Sequence, residues 1–150
     1  MADSTETKLL LRRQITVKAV VTPLWKEDAQ RQLQAQIDQI DGQLQQVDLQ
    51  AQQIVAELKK QAAADAPELL NTRIQEVQAQ VNTRQGELLQ QKNNVLQQLD
   101  QVQRLEMEEE VNQGQMDNFF YAKQGDHLIQ KMQVEILLRD GVIEQIRGTL

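Results

Sequence analysis

A chain of 150 residues with 16 Lys and Arg against 22 Asp and Glu has a formal net charge of −6, a balance that disfavours wrapping a nucleic-acid duplex by neutralising its phosphates. The lack of Cys excludes thiolate chemistry, disulfides and the usual closed zinc sites. Aromatic residues are 3% of the chain while Gln fills 29 positions, so the expected core is a thin aliphatic seam along helices, with Gln, a good helix former, on the outer faces.

Residues 1–8 are polar and read as a disordered N-terminus. The first apolar stretch, Leu9-Leu10-Leu11, is far shorter than a signal-peptide core of about 7 to 15 residues. No apolar run approaches the roughly 18 residues of a membrane helix, so a soluble cytoplasmic chain without a membrane partner is expected. Over residues 9–22 the odd positions Leu9, Leu11, Arg13, Ile15, Val17, Ala19 and Val21 form an apolar face interrupted once. That period of two predicts a half-buried strand. Thr22-Pro23 then opens helix one, expected over 23–64: the Thr22 hydroxyl can accept from an orphan backbone N–H, and Pro23 has no donor to lose at the first helical position.

Leu33, Ile37, Ile40, Leu44, Val47, Ala51, Ile54 and Leu58 are spaced 4, 3, 4, 3, 4, 3, 4, an a/d seam that predicts a left-handed coiled coil. The stretch Asp65-Ala66-Pro67-Glu68 is expected to turn the chain and cap helix two, over 67–113. Helix two continues the spacing as Leu70, Ile74, Val77, Val81, Arg84, Leu88, Gln91, Val95, Gln98, Val102 and Leu105. Folding the helices back places Ala51 near Val81, Leu44 near Leu88 and Ile37 near Val95, on a rod of about 60 Å at about 1.5 Å per residue. Residues 118–150 are expected to form the rest of a β unit. They comprise a short strand at Asn118 to Ala122, a single helical turn capped by Asp126, and a hairpin turning at Asp140-Gly141. Asp-Gly suits a type I′ turn, which needs positive φ at both central residues. A three-residue loop pairing Val134 with Ile146 and Leu138 with Val142 is the alternative register. The resulting fold class is α+β, mainly α: a long antiparallel helical hairpin with a small antiparallel β unit from the chain's two ends, in a single domain over 9–150.

Ile15-Thr16-Val17-Lys18-Ala19-Val20-Val21-Thr22, the Gln-rich hairpin, the strand running into Gly125-Asp126 and the closing Glu135-Ile136-Leu137-Leu138-Arg139-Asp140-Gly141-Val142-Ile143 together resemble the YlqD family of bacterial proteins. The resemblance covers nearly the whole chain in layout, with its specific residues confined to the two β segments. It implies a fold and no catalytic residues.

No catalytic, cofactor-binding or metal-ligating set is expected. His127, the single His, has no partner array to activate and reads as a surface residue. Glu106, Glu108, Glu109 and Glu110 would sit in the last turns of helix two, where the macrodipole disfavours negative charge. They call for cations, with Arg12 and Arg13 on the first strand, beside Lys8 and Lys18, as candidates. A docking patch for a basic partner or a divalent ion is the sharper alternative. Leu89, Leu96 and Leu99 form a second stripe beside the polar-interrupted seam, which either means that the seam rotates or that a second hairpin packs there; a homodimer is favoured. Gly42 and Gly86 suggest a soft point or a close backbone contact. Phe119, Phe120 and Tyr121 read as β-unit core, with an exposed aromatic partner surface as the alternative. The function expected is that of a non-enzymatic coiled-coil interaction or scaffolding protein with an unidentified protein partner. A prefoldin-like holdase chaperone and an RNA- or ribosome-associated factor using the basic first strand are the alternatives, nucleic acid being disfavoured by the net charge.

Overall fold

The computed structural model describes residues 7–61 and 67–148. In chain order the elements are β1 (Lys8–Val20), α1 (Pro23–Gln61), α2 (Pro67–Arg104), β2 (Glu110–Lys123), α3 (Leu128–Met132), β3 (Glu135–Arg139) and β4 (Val142–Arg147). They divide into two compact units, Met1–Glu27 with Leu105–Leu150, and Asp28–Arg104. Of the segment expected to be disordered, residues 1–6 lie outside the described residues, as do residues 62–66 with most of the expected cap of helix two.

The first unit is a four-stranded sheet in the order β2-β1-β3-β4. β1 is central and pairs antiparallel with β2 along its whole length, from Lys8↔Lys123 to Val20↔Glu110. On its other side it pairs parallel with β3, Thr16↔Glu135 to Ala19↔Leu138. The sheet is therefore mixed, not purely antiparallel as expected. Topology supplies the reason: β2 already occupies one edge of β1 running the opposite way, so the chain returning through residues 124–134 crosses to the free edge and enters it in the direction of β1.

Residues 105–117 depart furthest from expectation. Helix two ends at Arg104, and β2 begins at Glu110 and absorbs Gln113-Gly114 as a bulge opposite Val17/Lys18. Half of the backbone groups of a 13-residue strand would otherwise be unpaired, and pairing residues 110–123 satisfies them. The turn between α2 and β2 places Glu108 at φ 71. There the Glu108 N–H donates to the Val21 carbonyl at 2.8 Å, and the Val21 N–H to the Glu109 carbonyl at 2.7 Å, extending the ladder beyond both strands.

The chemistry at 22–23 is as expected: the Trp25 N–H donates to Thr22 Oγ1 at 3.0 Å, and Pro23 is the first helical residue. Asp140 and Gly141 have φ of 52 and 85, the two positive values of a type I′ turn. It is a two-residue turn joining Arg139↔Val142. The three-residue alternative is not adopted; the irregularity falls further in, between Leu137 and Leu138, and leads to Ile136↔Ile146. α3 is capped by His127, whose Nδ1 accepts from the Gln130 N–H at 3.2 Å. Asp126 does not cap it. Its carboxylate accepts from the Lys123 N–H at 2.9 Å and pairs with Lys131 at 3.1 Å.

In the second unit α1 and α2 pack through Ile37, Ile40, Leu88 and Val95, with Leu33, Leu44, Val47 and Leu99 against them. On α2 the partly or fully buried positions run Leu70, Ile74, Val77, Val81, Gln85, Leu88, Lys92, Val95, Leu99 and Val102, while Arg84, Gln91 and Gln98 are exposed. The seam thus rotates by one residue. On α1 Val55 replaces the exposed Ile54, giving Val47, Ala51, Val55, Leu58. Both helices therefore contain a 4, 4, 3 spacing, the eleven-residue period of 3.67 residues per turn, which lies closer to a straight helix than the heptad's 3.5. Lys92, brought inward by this rotation, pairs with Asp41 at 2.7 Å. A Cβ on Gly42 or Gly86 would meet nothing within 4 Å, so neither glycine marks a close backbone approach.

Candidate interaction surface

One side of β1 is buried from Arg13 to Ala19, while the other is open at Lys8, Leu10, Arg12 and Gln14 and closes at Val20. Ile15, Val17 and Ala19 are buried, and Arg13 is buried with them at 4% exposure. A buried guanidinium needs partners on its donors and an apolar or aromatic bed for its plane, and the sheet provides both. Arg13 Nε donates to Asn118 Oδ1 at 3.1 Å, its Nη1 donates to the Lys131 carbonyl of α3, and its Cζ lies 4.6 Å from the centroid of Phe120. Arg13 fastens the crossover helix over β1. It does not belong to a surface charge patch, and the buried Phe120 does not belong to a partner surface.

Alternation places the next residues on the opposite side of the same ribbon. There the register sets Leu10 opposite Tyr121 and Arg12 opposite Phe119. Tyr121 is 63% exposed, Phe119 65% and Leu10 59%. Arg12 stands in solvent, 3.9 Å from Asp117. Of the three consecutive aromatics only Phe120 is core.

The glutamate run is answered chiefly by Arg139 and Arg147, with Lys18, of the expected cations, acting on it through Glu110. Glu108 accepts from Arg139 Nη1 at 2.9 Å, and Glu110 accepts from both Nη atoms of Arg147 at 2.7 and 2.8 Å. Arg147 also bonds Glu135, which lies 3.4 Å from Lys18. The Arg139 hydrogen bonds hold the Glu108 carboxyl below its ordinary value, and Arg147 does the same for Glu110 and Glu135. The carboxylate of Glu109 turns back to accept from the Glu106 N–H at 2.9 Å. These residues close the α2–β2 turn, beyond the helix whose dipole was to oppose them. Among the described residues no cluster of three His, Asp or Glu side chains could hold a metal ion.

Of the second leucine stripe, Leu99 packs into the hairpin core, and Leu89 and Leu96 remain exposed. The hairpin also bears an open groove of about 590 Å³, where Ala51, Val55, Val81 and Gln85 leave the seam thin. No described helix is long and apolar enough to cross a membrane.

In chain order the α1–α2 hairpin is inserted between the first two strands of a four-stranded mixed sheet. Residues 9–147 match the model of the YlqD protein family, and the chain belongs to that family. A crystal structure of a protein of unknown function from Synechococcus sp. WH 8102 is similar to it, with a TM-score of 0.83 and 42% identity, covering 95% of this chain and 98% of that one. No curated protein matches the chain.

Proposed function

We propose that this YlqD-family chain is a non-enzymatic interaction or scaffolding protein of the cytoplasm whose β unit, more than its helical hairpin, carries the contact surface. One observation supports the reading above the rest. The two units are of similar length, yet among the described residues thirteen of the eighteen exposed large hydrophobic ones fall in the unit built from the sheet. Apolar residues scattered singly over a surface need no explanation, but exposed ones that share a face, as Leu10, Phe119 and Tyr121 do across β1 and β2, are the mark of a binding face. The holdase reading needs apolar side chains towards the far ends of the helices. Among the described residues there, Leu69 and Ile54 are exposed while Val55 and Leu70 are half-buried, so that reading has less support.

A homodimer belongs to the same proposal, with Leu89 and Leu96 as the exposed apolar anchors midway along α2. Sedimentation velocity of Leu89→Ser/Leu96→Ser tests it: conversion of dimer to monomer supports the stripe, and an unchanged profile removes it. The main proposal is tested by photo-crosslinking in lysate from probes placed at Tyr121 and Ile143 in the β unit and at Leu49 and Leu89 in the hairpin. Crosslinks should concentrate at the first pair, and equal yields at all four would overturn the reading.

A further inference from the structure

The exposed face of the β1–β2 ribbon combines two features that an apolar protein contact does not require together. Phe119 and Tyr121 are two residues apart on one strand, which sets two exposed rings side by side about 7 Å apart at a rise of about 3.4 Å per residue. Around them the same face carries Lys8, Arg12 and Lys123, with Asp117 3.9 Å from Arg12 and Asp126 beside Lys123 as the neighbouring carboxylates. In a chain of net charge −6 this is a local reversal of sign, and a local field steers a charged partner even where the whole molecule repels it. Behind the rings, the Arg13 guanidinium on Phe120 and its bond to Asn118 fix the strand from below, so the rings stand on an ordered base.

We infer that this face, with Phe119, Tyr121 and Arg12 at its centre, binds single-stranded nucleic acid, stacking bases on the two rings while Arg12, Lys8 and Lys123 meet the phosphates. The inference rests on the reading that the β unit is the contact surface and names the partner's chemistry. Unpaired bases offer free π-faces to exposed aromatic side chains, and flanking cations supply the attraction to the backbone. A duplex keeps its bases closed to such rings. A second copy of the chain would set Lys8, Arg12 and Lys123 against their like, a repulsive match.

Fluorescence anisotropy of the full chain with labelled dodecamers of uridine and of thymidine, and with a duplex of equal length, tests this. The unpaired oligomers should bind and the duplex should bind at least tenfold more weakly. Phe119→Ala and Tyr121→Ala should each weaken binding roughly five- to hundredfold, the worth of one stacked base. Phe119→Leu keeps apolar area without a π-face and should weaken it similarly. Three phosphate contacts imply a loss of about twentyfold between about 50 and about 200 mM salt, and Arg12→Glu should flatten that dependence. Leu49→Ala, at an exposed leucine of α1 outside this face, should leave binding unchanged. Failure of both oligomers to bind at low salt, or full binding by a folded Phe119→Ala/Tyr121→Ala variant, overturns the inference. If oligomers fail while protein crosslinks still concentrate at Tyr121, the inference falls and the broader reading stands; loss of both removes both.

Discussion

Leu88 and Leu89 are neighbours of identical chemistry on α2, one with no solvent exposure and the other about half exposed. Leu88→Ala removes a side chain held by Ile37, Ile40 and Val95. Burial of this kind is worth about 2 to 5 kcal/mol when truncated to Ala. The seam is only two helices thick, so neighbours and solvent can relax into the space, and the lower half of the range, about 2 to 3 kcal/mol, is expected. At concentrations low enough to keep the chain monomeric, Leu89→Ala exchanges one good helix former for another on an exposed face and should stay within about 0.5 kcal/mol. Urea unfolding followed by far-ultraviolet circular dichroism resolves the two. At an m-value on the order of 1 to 3 kcal/mol/M the first variant shifts the midpoint by about 0.7 to 3 M, and the second leaves it nearly in place. The same scale tests the rotated seam eleven residues further on: Leu99→Ser should cost about 1 to 2 kcal/mol and Gln98→Ser almost nothing. Equal shifts for Leu88 and Leu89, or a larger loss at Gln98 than at Leu99, would refute the assignment of the packing face.

Arg13→Ala should destabilise the sheet by about 2 to 4 kcal/mol, because it strips the Asn118 and Lys131 acceptors of their donor and opens space beside Phe120; Arg13→Lys, lacking the planar fork, should recover little of it in Trp25-monitored unfolding. Glu108, Glu110 and Glu135 have folded pKa values below the ordinary 4.5 because of their arginine partners. As pH falls the unfolded chain takes up their protons first, so this stabilisation is complete above about pH 5 and is lost on descending through 4.5 towards the folded values. Thermal melts in acid should accordingly show a shallower decline for Arg139→Gln than for the wild type. Gly42→Ala and Gly86→Ala, in open space within helices, should each stabilise by about 0.5 to 1 kcal/mol. Gly148→Ala should instead destabilise by more than about 1 kcal/mol, since φ is +113 and its Cβ would meet the Gln133 carbonyl oxygen; calorimetry of the three variants distinguishes the signs.

The parts of the fold legible in the sequence are those where one local rule acts alone. Thr22-Pro23 starts a helix by satisfying or lacking a donor, Asp140-Gly141 turns a hairpin by accepting positive φ, and α1 announces its core face by an aliphatic seam. β2 was hidden from residue 110 to 117 because an edge strand exposed on both faces carries almost no apolar signal there. Its existence follows from the unpaired backbone of β1, a demand that periodicity does not express. The drift of the seam was equally hard to see, because Leu88, Val95 and Val102 belong to both the heptad and the rotated stripe. Only Leu99 and Val55 separate the two, and the half-buried Gln85 and Lys92 do not look like core.

Arg13 shows how a local interruption can carry a long-range instruction. In the alternation of β1 it reads as a break in an apolar face, and beside Arg12 it reads as half of a surface charge patch. The register gives the two arginines opposite duties. Arg13 turns inward to Phe120, Asn118 and the carbonyl of α3, and Arg12 turns outward opposite Phe119. Moving the register by one residue would bury Arg12 and Leu10 and expose Ile15, Val17 and Arg13. The cost of that exchange fixes which side of the ribbon faces solvent. The same step that secures the crossover helix therefore also presents Phe119 and Tyr121 outward with cations around them. A surface built this way depends on the fold behind it: variants at Arg13 should weaken oligonucleotide binding only in proportion to their loss of sheet stability, while Arg12 variants weaken it with stability unchanged.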